Sequence, residues 1–158
     1  MKNIVLTRID DRLLHGQVVV SWIPFSKADE VVIVDDEYSK DEFMSQIIKN
    51  AAPNNIDVKV LSTEEASSYL KSDDNGSRIL ILSRYIEYVD ELIKSNVAID
   101  SLNVGGLGSG KGRERCLNSI HLNGDEINLL KNMEQRGIKV ELKTLPKDRA
   151  VTVEQVSK

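Results

Sequence analysis

The feature that most constrains this chain is the alternation of short apolar runs with amphipathic stretches along its length. Ile4-Val5-Leu6, Val31 to Val34, Val58 to Leu61, Arg78 to Leu82, Leu102-Asn103-Val104 and Ile138 to Lys143 read as strands. Between them lie segments with helical spacing, such as Tyr85, Val89, Leu92 and Ile93. Strands that alternate with helices are the sequence form of repeated βα units, and such units build a parallel sheet through crossover connections. Ile120-His121-Leu122 is a further short extended piece, in which alternation sets His121 opposite its apolar neighbours.

Local signals give the boundaries. Val18 to Ile23 reads as the first helix, ended by Pro24. Ser39 with Glu42 has the spacing of a capping box opening a helix with Phe43, Ile47 and Ile48 on one face, which stops by Pro53. Ser62 with Glu65 opens a short helix through Leu70, and Asn123 with Glu126 opens one through Met133. Gly137 stands where a helix ends in a left-handed residue, and Asp73 to Gly76 is a turn. The expected architecture is a single α/β domain over residues 1–158, an open, mostly parallel twisted sheet with helices on both faces. Right-handed crossovers then gather the loops after the first, second and fifth strands on one edge.

The length of 158 residues suits one core and is short for two. Aromatic residues make up only 4%, so the core should be aliphatic, as in a buried parallel sheet. A formal net charge of −4, with no basic run interleaved with aromatics, argues against nucleic-acid binding. A single cysteine, Cys116, excludes an internal disulfide and a cysteine zinc site, which points to a reducing compartment. Nowhere do roughly 18 apolar residues run together as a membrane-spanning helix requires.

The densest chemistry lies in the first strand-to-helix loop, Arg8-Ile9-Asp10-Asp11-Arg12-Leu13-Leu14-His15-Gly16-Gln17. Such loops sit at the carboxyl edge of a parallel sheet, where helix N-termini offer N–H groups to an anion. Arginine forks hold phosphate oxygens, and a neutral imidazole is a good nucleophile. The loop therefore suits a histidine that accepts a phosphoryl group among arginines. Asp10 could hold an arginine or orient the imidazole. The competing reading is a helix cap with a solvated ion-pair cluster.

Two other segments carry chemistry. Asp35 and Asp36 end the second strand and favour a loop-ordering role over a metal site, since no third ligand has suitable spacing. The run Gly105 to Gly112 contains glycine, four residues and then Gly110-Lys111, a partial phosphate-binding pattern. Gly112 stands where that pattern needs Ser or Thr. This run supports an alternative function, a small α/β phosphate- or nucleotide-binding module. His121 is not assigned a catalytic role, and Trp22 reads as core beneath the first loop.

From Arg8 to Val18 the sequence closely resembles the signature of IIB components of the mannose/fructose/sorbose/N-acetylgalactosamine family of the bacterial sugar phosphotransferase system (PTS). Trp22, Val32-Ile33-Val34-Asp35-Asp36, Ala52-Pro53 and Leu102-Asn103-Val104-Gly105-Gly106 are similar to that family in the same order. The resemblance implies that His15 takes a phosphoryl group from a phosphohistidine on the IIA component and passes it to a hexose or amino sugar at the membrane components IIC and IID. It leans towards the N-acetylgalactosamine members. Arg8, Asp10 and Arg12 are then expected to serve His15, and Gly16, Gln17, Gly105 and Gly106 to bind phosphate. Neither cofactor nor metal is implied. The resemblance implies a cytoplasmic protein, associated with the inner face of the plasma membrane through IIC and IID, and a homodimer is compatible with it.

Overall fold

Among the described residues eight strands form: β1 (Asn3–Asp10), β2 (Glu30–Val34), β3 (Asp57–Leu61), β4 (Arg78–Ser83), β5 (Ser101–Gly106), β6 (Glu114–Leu117), β7 (Ile120–Leu122) and β8 (Lys139–Leu142). In this computed structural model, which describes residues 1–157, six of them make one parallel sheet in the order β3-β2-β4-β1-β5-β8. β6 and β7 form a separate antiparallel hairpin. The helices are α1 (Ile23–Ser26), α2 (Glu42–Asn50), α3 (Thr63–Lys71), α4 (Ile86–Lys94), α5 (Gly124–Gln135) and α6 (Val153–Val156).

Side-chain alternation on the strands divides the core into two layers. Val31, Ile33, Leu80 and Leu82 pack with Trp22, Ile23 and Ile48 on the α1 and α2 side. Val32, Val34, Ile79 and Ile81 share the other layer with Leu70, Val89, Leu92, Leu130 and Met133 from α3, α4 and α5. Both layers are almost wholly aliphatic, as the low aromatic content requires. The connection from β1 runs towards β2 and that from β5 towards β8, on the other side. The carboxyl ends of β1 and β5 therefore flank a topological switch point, where open parallel sheets bind their ligands.

The capping boxes at Ser62/Glu65 and Asn123/Glu126 are both formed, and Gly137 has a φ of +90°. Other boundaries differ from expectation. Pro24 does not end the first helix: a widened π-helical turn, Val18–Trp22, comes first, with the Ile23 N–H bonded to the Val18 carbonyl. Pro24 thus enters the first turn of α1, where a missing N–H costs little, and Lys27, with φ +57°, ends the segment. The cap of α2 is Asp41, whose carboxylate accepts the Met44 N–H at 3.0 Å, whereas Ser39 lies in a 3₁₀ turn. On α2 only Ile48 faces the core, and Phe43 and Ile47 are exposed. Strand β6 had no sequence signal, because Glu114-Arg115-Cys116-Leu117 does not alternate apolar with polar.

Candidate active site

Strand β1 extends through Asp10, so Arg8 and Asp10 are strand residues on one face and not loop residues. Ile9, between them, joins the opposite core layer. After Asp10 the chain turns sharply. The Leu13 N–H donates to the Asp10 carbonyl at 3.0 Å and the Arg12 N–H to Asp10 Oδ1 at 3.1 Å. Leu13 takes a φ of +55°, a left-handed conformation that costs a branched residue on the order of 1–3 kcal/mol. Burial of the Leu13 and Leu14 side chains in the α1–α2 layer offsets that strain.

The turn returns His15 over the end of β1. Its Nε2 lies 2.8 Å from Oδ2 of Asp10, a carboxylate with no solvent exposure, while the imidazole itself is 15% exposed. A carboxylate accepts, so Nε2 carries the proton and Nδ1 the lone pair. The His15 carbonyl accepts the Val19 N–H at 2.9 Å and so opens the first helical segment. The N–H groups of Gly16, Gln17 and Val18 fall in its first turn, where no intrahelical acceptor exists. Nothing lies within 4 Å of where a Gly16 Cβ would stand, which leaves the surface beside His15 open.

The two arginines separate into different roles. The Arg12 side chain is 53% exposed; its Nη2 donates to Gln17 Oε1 at 3.1 Å, and its Nε lies 3.9 Å from Asp10 Oδ1. Of the two it is the arginine exposed at the surface. Arg8, expected to serve His15 beside it, is fully buried beneath Asp10. Its Nη2 donates to Asp10 Oδ2 at 3.2 Å and to the Thr144 carbonyl at 3.1 Å; its Nη1 donates to the Lys143 carbonyl at 3.1 Å and to Asn103 Oδ1. The guanidinium stacks on the Trp22 ring, 4.6 Å from its centroid, and the indole Nε1 donates to the Thr144 carbonyl at 2.9 Å. Burial pushes the Arg8 pKa down, and the adjacent Asp10 opposes that fall. Arg8 therefore supports the carboxylate and does not line the surface.

The expected placement of Gly105 and Gly106 in a loop differs in the same way. Both are buried residues of β5 and not part of a surface loop. A Cβ at Gly105 would collide with the Arg8 guanidinium, and one at Gly106 would stand 2.9 Å from Asp10 Oδ1. They make room for the charged pair, a role different from offering N–H groups to a surface phosphate.

The glycine-rich run beyond them is tied to the His15 loop, because Asp11 Oδ2 accepts the Gly108 N–H at 2.8 Å. Strand β6 follows the run where a phosphate-binding loop would lead into a helix, so the nucleotide reading lacks its structural context. Lys111 is exposed. Ile120 and Leu122 are buried with His121 between them at the partly exposed position, its Nδ1 3.0 Å from the Leu107 carbonyl.

Asp35 accepts the N–H groups of Glu37 and Tyr38 and is gripped by Arg84, whose Nε lies 2.6 Å away. Asp36 accepts the N–H and hydroxyl of Thr63. Both carboxylates are thus engaged in ordering loops. Sequence reasoning assigned no role to Asn103, Thr144 or Arg84. Asn103 was detectable as the one polar residue of an apolar strand run. Thr144 acts through its backbone carbonyl, which leaves no sequence signal.

Residues 4–158 match the family model described as the PTS system sorbose subfamily IIB component. The chain is 31% identical over 157 residues to the fructose-specific EIIB component of Bacillus subtilis, covering 99% of this chain and 96% of that protein. It is 30% identical over 146 residues to the sorbose-specific EIIB component of Lacticaseibacillus casei, covering 92% and 89%. The crystal structure of the IIBSor domain of the sorbose permease from Klebsiella pneumoniae superposes with a TM-score of 0.91 at 26% identity, over 98% of this chain and 96% of that one. The chain therefore belongs to the sorbose subfamily of PTS IIB components, which are phosphotransferases.

Proposed function

We propose that His15 is the phosphoryl carrier of a sugar phosphotransferase system, accepting the group from the phosphohistidine of a IIA component and delivering it to a hexose or amino sugar at IIC and IID. The observation that carries this reading is the 2.8 Å contact between His15 Nε2 and the buried Asp10. It leaves Nδ1 as the nucleophile. The Nδ1 lone pair forms the new N–P bond as the N–P bond of the donor breaks, and the donor imidazole keeps that electron pair. The imidazole of His15 becomes cationic as it bonds phosphorus, and Asp10 stabilises the Nε2–H that remains. Arg12 and the first N–H groups of the helix meet the charge spread over the equatorial oxygens; positioning and positive charge supply most of the catalysis in such loose transfers.

In the second transfer a sugar hydroxyl attacks phosphorus as the N–P bond of His15 breaks; that electron pair returns to Nδ1, and the hydroxyl proton leaves to solvent or to a base of the membrane components. His15 must meet two partners in turn, and a partly exposed imidazole at a sheet edge suits that exchange. We place the protein in the cytoplasm, at the inner face of the membrane when it engages IIC and IID. Uptake should be assayed with fructose, sorbose, mannose and N-acetylgalactosamine, the sugars named for its relatives.

The test is transfer of labelled phosphate from a phosphorylated IIA component, followed by intact mass, with His15→Ala alongside. One acid-labile phosphoryl group on the wild type and none on the variant is the expected result. Equal labelling of both proteins would move the carrier role to His121. No labelling of either, by IIA components active on their own IIB, would overturn the assignment.

A further inference from the structure

We propose that Asn103 is a positioning residue for phosphoryl transfer, acting through Arg8 and Asp10 to fix which nitrogen of His15 is nucleophilic. The proposal deepens the carrier reading above and rests on it. In the parallel pairing of β1 with β5, Arg8 stands directly opposite Asn103. Asn103 uses both ends of its amide: Oδ1 accepts from Arg8 Nη1, and Nδ2 donates to the Lys143 carbonyl at 3.1 Å and towards that of Glu141 at 3.4 Å. The residue is 7% exposed, so water is a poor substitute for either bond.

The geometry explains why the guanidinium needs this partner. Only one of its terminal nitrogens serves Asp10, and Arg8 Nε is buried with no acceptor among the described residues. Its orientation is set at Nη1 by Asn103 Oδ1 and the Lys143 carbonyl and at Nη2 by the Thr144 carbonyl, with Trp22 closing one face; apart from Asp10, Asn103 is the side chain among these acceptors. Asn103 also engages that same Lys143 carbonyl, so one side chain steadies both of the acceptors that hold Nη1. A planar fork held at Nη1 presents Nη2 to Asp10 Oδ2 in one direction, and Oδ2 is the atom that receives His15 Nε2–H. Loss of the Asn103 amide frees Arg8 to turn, lets Asp10 shift and allows the imidazole proton to occupy either nitrogen.

The test pairs Asn103→Leu, close in shape, with Asn103→Ala, which leaves room for water. Two readouts are needed, the rate of transfer from phosphorylated IIA and the side-chain nitrogen NMR spectrum of His15 in unphosphorylated protein. The wild type should show a single Nε2–H form. Folded variants should show a mixture of both tautomers and transfer slowed by about 10- to 100-fold, the range seen when an outer partner of a metal-ligating histidine is removed. A merely structural residue would lower the melting temperature without moving the nitrogen spectrum. A folded variant that keeps one tautomer, or one that keeps the wild-type rate, overturns the proposal, as does unfolding of both variants. If the wild type accepts no phosphate, the carrier reading fails, while the nitrogen spectra still decide the role of Asn103.

Discussion

Asp11 Oδ2 accepts the Gly108 N–H at 2.8 Å across 97 positions of sequence, and this bond joins the loop that carries His15 to the glycine-rich run leading to the hairpin of β6 and β7. The two segments leave neighbouring strands, β1 and β5, at the same edge. Asp11→Ala removes the acceptor and should cost about 1.5 kcal/mol, the low end for a hydrogen bond to a charged group. Asp11→Asn keeps an acceptor and should lose less. Urea unfolding gives the stability difference, and proteolysis within Gly108 to Gly112 should accelerate in the alanine variant. Equal cleavage rates in both proteins would show that the bond does not restrain the loop.

Gly16 and Gly105 should respond in opposite ways to alanine. At Gly16 the added methyl meets nothing within 4 Å, and alanine favours a helix over glycine by about 0.5–1 kcal/mol. Gly16→Ala should therefore fold at least as well as the wild type and keep its phosphoryl acceptance. At Gly105 the methyl collides with the buried Arg8 guanidinium, so Gly105→Ala should cost about 3 kcal/mol from overpacking alone. Thermal melts of the two variants provide the comparison. A Gly105→Ala protein as stable as the wild type would contradict the close packing of β5 on Arg8.

The same residues show what can be read from sequence here. The βα order, the parallel sheet, the two capping boxes and the place of His15 follow from local periodicity and from one dense motif. Arg8 was misplaced because a charged residue at the end of an apolar run reads as loop. Only the pairing of Arg8 with Asn103, and the room left by Gly105, make a buried guanidinium possible. Those contacts span some 95 positions of sequence, and the Thr144 and Lys143 carbonyls that complete them belong to every residue type alike. Phe43 misled in the opposite sense, since helical spacing shows that residues share a face and not which face is covered.

Cys116 offers a pH-dependent check on the hairpin. Burial is the largest influence and pushes its thiol above the ordinary value of 9.0; the negative charges of Glu114 and Glu126 act in the same direction. A thiol whose folded pKa is raised stabilises the fold below the unfolded pKa, and that contribution is lost as pH rises through the folded value. Alkylation at pH 9 should accordingly run slower on the folded protein than on the urea-unfolded chain. Equal rates would place Cys116 in an environment no different from solvent.

Asp10→Asn tests the centre of the site, because one oxygen of Asp10, Oδ2, meets both Arg8 and His15. The substitution conserves shape and removes the only carboxylate among the described residues that pairs with Arg8, whose side chain has no solvent exposure. Breaking a buried pair in this way costs about 3–5 kcal/mol, because the remaining charge stays uncompensated. The neutral amide also changes the imidazole: with NH₂ in the place of Oδ2 it faces the Arg8 donor, donates to Nε2 and drives the proton to Nδ1, the nitrogen proposed to attack, and with its oxygen there it holds Nε2–H more weakly than a carboxylate. In the Ser-His-Asp triad the corresponding tautomer error lowers the rate by about 10⁴-fold, and a loss of at least about 10³-fold is expected here. Single-turnover transfer from phosphorylated IIA, run at a temperature where the variant is shown to be folded, separates the two effects. A folded Asp10→Asn protein with a rate near that of the wild type would remove Asp10 from the mechanism and, with it, the assignment of Nδ1 as the nucleophile.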